Sequence, residues 1–350
     1  MSAINTSRRS RSACRDAATM RVQARRRKTS IVAQAMTLLF TLLLPAPNVA
    51  SPLASELLVL ASVPKAMRAE VDAAMTAILE ESKQHHEVIE IDEHSELSSS
   101  QKSRIDRSAA RLIALGTNAC RRLADIGRIA TCALLSAEAF TDIDCGSTCD
   151  RLEAVIMDQP LDRQMAVANS VYPALGKFGL ISARSADTVD IRPGSDSKLS
   201  YPAGTHLDYQ RYRKHQSLIP QVERSLGHND ALLTQAESTI FDRSALNVVL
   251  LTAYGNSKPV IGYSRTFVKA GALISAYSTP AQVLREVLAP PEPRERSVNV
   301  RTENRSTARR MRTPLYFSVA ENQQIAMSLG LVKRRELDPT KDYIDADFSS

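Results

Sequence analysis

From Glu56 to Leu329, short apolar runs alternate with segments of helical periodicity, and this alternation constrains the fold more than any other feature of the chain. Strands are expected at Glu56–Ser62, His86–Ile91, Arg111–Leu115, Arg128–Leu135, Leu152–Met157, Lys177–Ser182, Ala231–Gln235, Pro259–Tyr263, Ala272–Tyr277 and Leu315–Val319. Between them, helical spacing covers Pro64–Lys83, Ser98–Ala110, the stretch from Gly116-Thr117-Asn118 to Asp125, Leu161–Tyr172, Tyr209–Ser225 with a break near Pro220, Asp242–Tyr254, Pro280–Leu288 and Glu321–Leu329. Apolar strands separated by helices specify parallel sheets covered on both faces. The run is too long for one small sheet, so two α/β lobes are expected. Two stretches break the pattern. Asp187–His206 is rich in Gly, Pro, Ser and Asp and reads as a loop. Residues 290–313 hold three prolines and seven arginines and read as a solvated insertion.

Residues 1–50 have the layout of a secretory leader. The basic cluster Arg25-Arg26-Arg27-Lys28 precedes an apolar run from Ile31 to Leu44, and small residues with prolines follow up to Ala50. The run is 14 residues long, whereas a spanning helix needs about 20. Cleavage after Ala50 or Ala54 would release a chain destined for the periplasm, and Met20 is an alternative start. The leader also explains the charge. The formal +7 of the whole chain is concentrated in it, and the remaining 300 residues carry 36 basic and 37 acidic groups. A near-neutral body lacks the footprint of a nucleic-acid binder.

Beyond the leader stand four cysteines, Cys120, Cys132, Cys145 and Cys149. In an oxidising compartment they can form two bridges. Cys145 and Cys149 have room for a short loop disulfide. Cys132 is then either the partner of Cys120 or a small buried hydrophobe.

The motifs of common enzyme chemistry are missing. No dinucleotide or P-loop glycine pattern occurs. Gly262-Tyr263-Ser264-Arg265-Thr266 begins like a nucleophile elbow but lacks its closing glycine. His85, His86, Asp92, Glu93 and His94 flank one strand, where alternation sends several of them to solvent. No catalysis, cofactor or metal is therefore expected. What remains is the rim of an open α/β sheet, where ligands sit outside the carboxyl ends of the strands. The residues there are small, polar or acidic: Ala61-Ser62, Gly116-Thr117-Asn118, Ser136-Ala137-Glu138, Asp158-Gln159, Gln235-Ala236-Glu237 and Tyr263-Ser264. At the Gly116-Thr117-Asn118 turn, the free N–H groups of the following helix suit a carboxylate, and Thr117 or Asn118 is expected to cap that helix.

Three segments carry a family resemblance. Lys258–Tyr277, KPVIGYSRTFVKAGALISAY, resembles a run in the substrate-binding proteins of a bacterial ABC transporter family that includes tryptophan and tyrosine binders. Glu321–Leu331, ENQQIAMSLGL, resembles that family's closing segment, and Asp158–Pro173, DQPLDRQMAVANSVYP, resembles its helix after the first lobe crossing. The resemblance implies a type I periplasmic-binding-protein fold, with two lobes joined by three crossings and closing on a ligand. It implies a first lobe of 51–155 plus 277–335 and a second of 156–276. By position, Ser62, Gly116, Thr117, Asn118 and Ser136 would line one lip, and Glu237 and Ser264 the other. The function implied is capture of a small polar solute, such as an amino acid, by a monomer that delivers it to an inner-membrane permease. A sensor or interaction module of the same fold, coupled to a membrane receptor, is the alternative.

Overall fold

Leu57–Ala61 (β1) is buried at every residue, as a strand must be when helices cover both faces of its sheet. It lies next to an edge strand in the first of two sheets in the computed structural model, which describes residues 57–108, 110–184, 204–289 and 310–348. The expected leader, most of the Asp187–His206 loop and residues 290–309 lie outside the described residues. The first sheet runs β11-β5-β4-β3-β1-β2, where β2 is His86–Glu90, β3 Arg111–Leu115, β4 Ala130–Leu135, β5 Leu152–Ile156 and β11 Arg310–Arg312. Every pairing in it is parallel. The second runs β12-β10-β9-β8-β6-β7, where β6 is Lys177–Ser182, β7 His206–Arg211, β8 Ala231–Leu233, β9 Val260–Ile261, β10 Ile274–Tyr277 and β12 Ser318–Glu321. Only the β10–β12 pairing is antiparallel there.

Helices cover both sheets. In the first lobe they are α1 (Lys65–Ser82), α2 (Ser99–Arg107), α3 (Thr117–Asp125), α4 (Ala137–Thr141) and α9 (Pro280–Leu288). In the second they are α5 (Leu161–Val171), α6 (Leu218–His228), α7 (Arg243–Gly255), α8 (Arg265–Ala270) and α10 (Gln323–Ser328). Each sheet has one core on either face. Leu57, Val59 and Ile113 pack with Val283, Leu284 and Val287 of α9, while Leu58, Leu60 and Leu112 pack with Ala119 and Leu123 of α3. This is the expected two-lobed, three-layered α/β architecture.

The chain crosses between lobes three times, at 157–160, 278–279 and 313–317. The third crossing revises the expected division. Residues 318–335, assigned by sequence to the first lobe, belong to the second: β12 pairs with β10, and Phe317, Val319 and Ala326 enter the second lobe's core. The Arg-rich stretch is revised too. Its last residues form β11, where Met311 is buried and Arg312 Nε donates to Glu153 at 2.8 Å and pairs with Glu286. A third revision concerns 206–225. His206–Arg211 is the edge strand β7, with a half-exposed polar face, and α6 starts only at Leu218. Pro220 sits in the first turn of α6, where a missing N–H costs no helical bond. No helix among the described residues is long and apolar enough to cross a membrane.

Candidate functional site

Because both sheets are parallel, the polar residues that follow their strands collect along one edge of each. In the first lobe, four neighbouring strands contribute: Ser62 after β1, Gly116-Thr117-Asn118 after β3, Ser136-Ala137-Glu138 after β4 and Asp158 after β5. Gly116 is required where it stands. Its φ is +92°, and a Cβ there would lie 2.1 Å from the Ser62 carbonyl oxygen. The turn after β3 is thereby pressed against the end of β1. Gly116 is also the N-cap of α3, and no side chain caps that helix. The expected cap by Thr117 or Asn118 is absent because both lie within the first helical turn, leaving first-turn N–H groups without a side-chain acceptor.

Asn118 is buried and does other work. Its Nδ2 donates to Asp92 O at 2.9 Å and Ser95 O at 3.0 Å, which fixes the amide's orientation. Its Oδ1 has no partner, and neither has Ser62 Oγ, although both residues are at least 95% buried. Ser136 Oγ accepts from Ala139 N at 3.1 Å and so caps α4. Asp158 Oδ2 accepts from Ala137 N. Burial pushes the Asp158 carboxyl above the usual carboxylate range, against the pull of the Ala137 N–H and of Arg184.

In the second lobe the corresponding edge carries Ser182-Ala183-Arg184 at the end of β6, Gln235–Ser238 after β8 and Gly262–Ser264 after β9. Glu237 is 3% exposed, and both its oxygens are taken: Ser182 Oγ donates to Oε1, and Ala183 N to Oε2 at 2.8 Å. It ties the end of β6 to the loop after β8, with one hydrogen bond accepted at each oxygen. Ser264 Oγ accepts from Phe267 N at 3.2 Å and caps α8. Gln235 Oε1 is buried without a partner. The Tyr263 ring packs on Phe267, 5.3 Å between centroids, and burial, then the Asp158 charge, raises its phenol above the ordinary value.

The two edges face each other. Ser238 N donates to Glu138 Oε2 at 3.1 Å, and Ser238 Oγ reaches both Glu138 oxygens at 3.1 and 3.2 Å. Arg184 and Asp158, also from opposite lobes, attract one another. The structure thus brings Ser62, Gly116, Thr117, Asn118 and Ser136 together on one lip and puts Glu237 and Ser264 on the other, two of these seven (Ser136 and Ser264) capping helices with their side chains. Sequence reasoning did not single out Arg184 or Ser238. Neither belongs to a motif, and their partners are remote in the chain.

The expected loop bridge Cys145–Cys149 is present, and so is Cys120–Cys132, which joins α3 to β4. No metal-holding group occurs among the described residues. At the opposite, amino-terminal edge of the first sheet lies a concavity of about 500 Å³ lined by Arg111, Arg128 and Arg151. These guanidinium groups donate to backbone carbonyls of Ala289, Ser108 and Gly127.

The sequence matches no protein-family model and no curated protein. Among solved structures, the ligand-free, open form of a substrate-binding protein with adhesive properties from Clostridium difficile aligns with a TM-score of 0.54. Identity is 13%, over 81% of this chain and 97% of that one. An ABC domain in complex with L-Trp from Streptococcus pneumonia aligns with a TM-score of 0.46 at 14% identity, over 79% and 95% of the two chains. The first alignment shows the fold: a two-lobed α/β periplasmic-binding-protein architecture.

Proposed function

We propose that this chain is the periplasmic solute-binding component of an ABC transport system, holding a small zwitterionic solute of the amino-acid type between its lobes. It is a carrier without catalytic turnover, working as a monomer and handing its solute to an inner-membrane permease. The observation that carries this reading is the set of buried polar atoms without partners on the facing lips: Ser62 Oγ, Asn118 Oδ1 and Gln235 Oε1. Buried polar atoms are nearly always paired, and a ligand between the lips would complete the bonding of these three. The chemistry is two-sided. Asn118 Oδ1, Gln235 Oε1 and the carboxylates of Asp158 and Glu138 are acceptors and suit an ammonium group. The uncapped first turn of α3 supplies N–H donors and suits a carboxylate. A ligand touching both lips binds the closed form differentially, which is the thermodynamic requirement for ligand-driven closure. The two cystine bridges fit an oxidising compartment.

A thermal-shift panel of amino acids, sugars and polyols tests the assignment. A solute at 100 times its Kd adds about 2.7 kcal/mol, a rise of several degrees for a chain of this size. Stabilisation by a sugar but by no amino acid would overturn the ligand class. Silence across the panel, with capture of a membrane receptor, would favour the sensor reading. The pH dependence follows from Asp158. Its carboxyl is raised by burial, so affinity for an ammonium-bearing solute drops as pH falls through that raised value, and Asp158→Asn flattens the profile. In the ligand-free protein the sign is reversed. Burying the charged form destabilises the fold above that value, and the penalty is relieved as pH falls towards the unfolded carboxyl's range.

A further inference from the structure

The three crossings between the lobes are joined by one chain of buried hydrogen bonds, and its last member comes from outside the crossings. Gln159, in the first crossing, donates from Nε2 to Ser278 Oγ in the second at 2.9 Å. Ser278 Oγ donates to Tyr316 O in the third at 2.8 Å. Arg163, 3% exposed in the first turn of α5, donates from Nη1 to Gln159 Oε1 at 2.6 Å and to Pro314 O at 2.9 Å. Its guanidinium lies over the Phe317 ring, 4.5 Å from the centroid.

What fixes Arg163 is Asp345, which takes Nε at 2.6 Å and Nη2 at 3.0 Å. Asp345 belongs to the segment that follows α10 and returns to the hinge. There Tyr343 pairs with Phe317 by two backbone bonds, of 2.7 and 3.0 Å. Tyr343 and Phe348 fill the second lobe's core beside Phe317. The same segment also reaches the first lobe. Asp342 accepts from Gln282 Nε2 at 2.6 Å and from Arg285 Nη1 at 2.8 Å, both on α9.

We infer that residues 342–348 are a fourth, non-covalent tie across the hinge, and that Asp342 is a positioning residue whose bond to α9 holds the lobes near the arrangement described above from outside the cleft. The segment is anchored in the second lobe by aromatic packing and by the Arg163–Asp345 pair. Asp342 is its reach into the first lobe. Opening that changes the angle between α9 and the second lobe must stretch or break the Asp342 contacts. Their strength therefore enters the open–closed equilibrium directly. This goes beyond the solute assignment and is tested without any solute.

Spin labels at Glu93→Cys and Arg265→Cys, exposed on opposite lips, report lobe separation in the ligand-free full chain. Asp342→Ala should shift and broaden the inter-label distance distribution. Because the Asp342–Arg285 pair is largely exposed, the melting temperature should stay within about 2 °C. Asp342→Glu should restore the native distribution. Raising salt from low to molar concentration should move the native protein towards the Asp342→Ala distribution and leave that variant unchanged, since exposed pairs are screened. A distribution identical to native in Asp342→Ala overturns the inference. So does a fall in melting temperature without a change in distance, which marks a structural contact only.

Discussion

The two lips of the cleft are built alike, each from parallel strands running into polar turns and helices, yet they treat their polar atoms differently. On the first lobe's lip, Ser62 Oγ and Asn118 Oδ1 are left without partners, and α3 begins on a glycine that caps nothing with a side chain. On the second lobe's lip Gln235 Oε1 is likewise without a partner, but the Glu237 carboxylate accepts a hydrogen bond at each oxygen and so holds β6 to the loop after β8. Covalent bracing is distributed in the same uneven way. Both disulfides lie in the first lobe, and the second contains no cysteine. Leaving buried polar groups open weakens a lip, and the first lobe is braced where it carries that weakness. Cys120–Cys132 ties α3, the helix that begins at the open turn, to β4 beneath it.

The comparison would break first at Glu237. If that residue is scaffold, Glu237→Ala leaves Ser182 Oγ and the Ala183 N–H buried without acceptors. Each orphaned group costs about 1–3 kcal/mol, so urea unfolding should show a loss of about 3 kcal/mol. The affinity of the refolded protein for its solute should be nearly unchanged. A large drop in affinity at unaltered stability would instead return Glu237 to the ligand and make the two lips equivalent.

The disulfides sharpen the comparison by their different spans. Replacing Cys120 and Cys132 by Ala opens a link with a sequence separation of 12, and replacing Cys145 and Cys149 opens one of 4. The loop-closure relation gives losses of about 3 and about 2 kcal/mol. The effect on binding should diverge further than the effect on stability. The first pair positions α3 and its open turn, so its removal should weaken solute binding. The second closes a loop beyond α4 and should leave binding alone. Isothermal titration of the two double variants reads this directly, and equal loss of affinity in both would remove the proposed link between bracing and the open turn.

Much of this molecule is legible in the chain because its architecture is written in local periodicity. The β1 strand is four leucines and valines in a row before Ala61, and a parallel strand buried on both faces needs little else. The edges are harder to read. β7 is half-polar because one flank meets solvent, so its His206 reads as the end of a loop and its residues 209–211 as the start of a helix. β11 is three residues, two of them Arg, whose strand character depends on Glu153 and Glu286 far away in sequence. Long-range pairing also hides roles at the site. That Glu237 faces inward is decided by Ser182, 55 residues earlier, and that Glu138 meets Ser238 by a contact spanning 100 residues. Strand ends can be located from sequence, but whether a polar residue there is engaged or open depends on which strand folds beside it.

The smallest effect is expected at Thr117, and it bears most closely on what the first lip is for. A threonine at the start of a helix after a strand is ordinarily a cap, and replacing such a cap by Ala typically costs about 1 kcal/mol. Here the cap position belongs to Gly116, and Thr117 is the first helical residue, partly exposed and making no capping bond. Its hydroxyl lies in the same turn as the uncapped N–H groups, beside Asn118. Thr117→Ala should therefore change the stability of the ligand-free protein by less than about 0.5 kcal/mol, as for a surface substitution without a structural bond. One hydrogen bond to a solute carboxylate contributes about 0.5–1.5 kcal/mol, which corresponds to an affinity loss of roughly three- to tenfold. Measuring the melting temperature and the dissociation constant on the same sample separates the two roles. Loss of affinity with the melting temperature held supports an open lip, whereas equal loss in both would show that the turn is closed on itself and that the asymmetry between the lobes does not extend to α3.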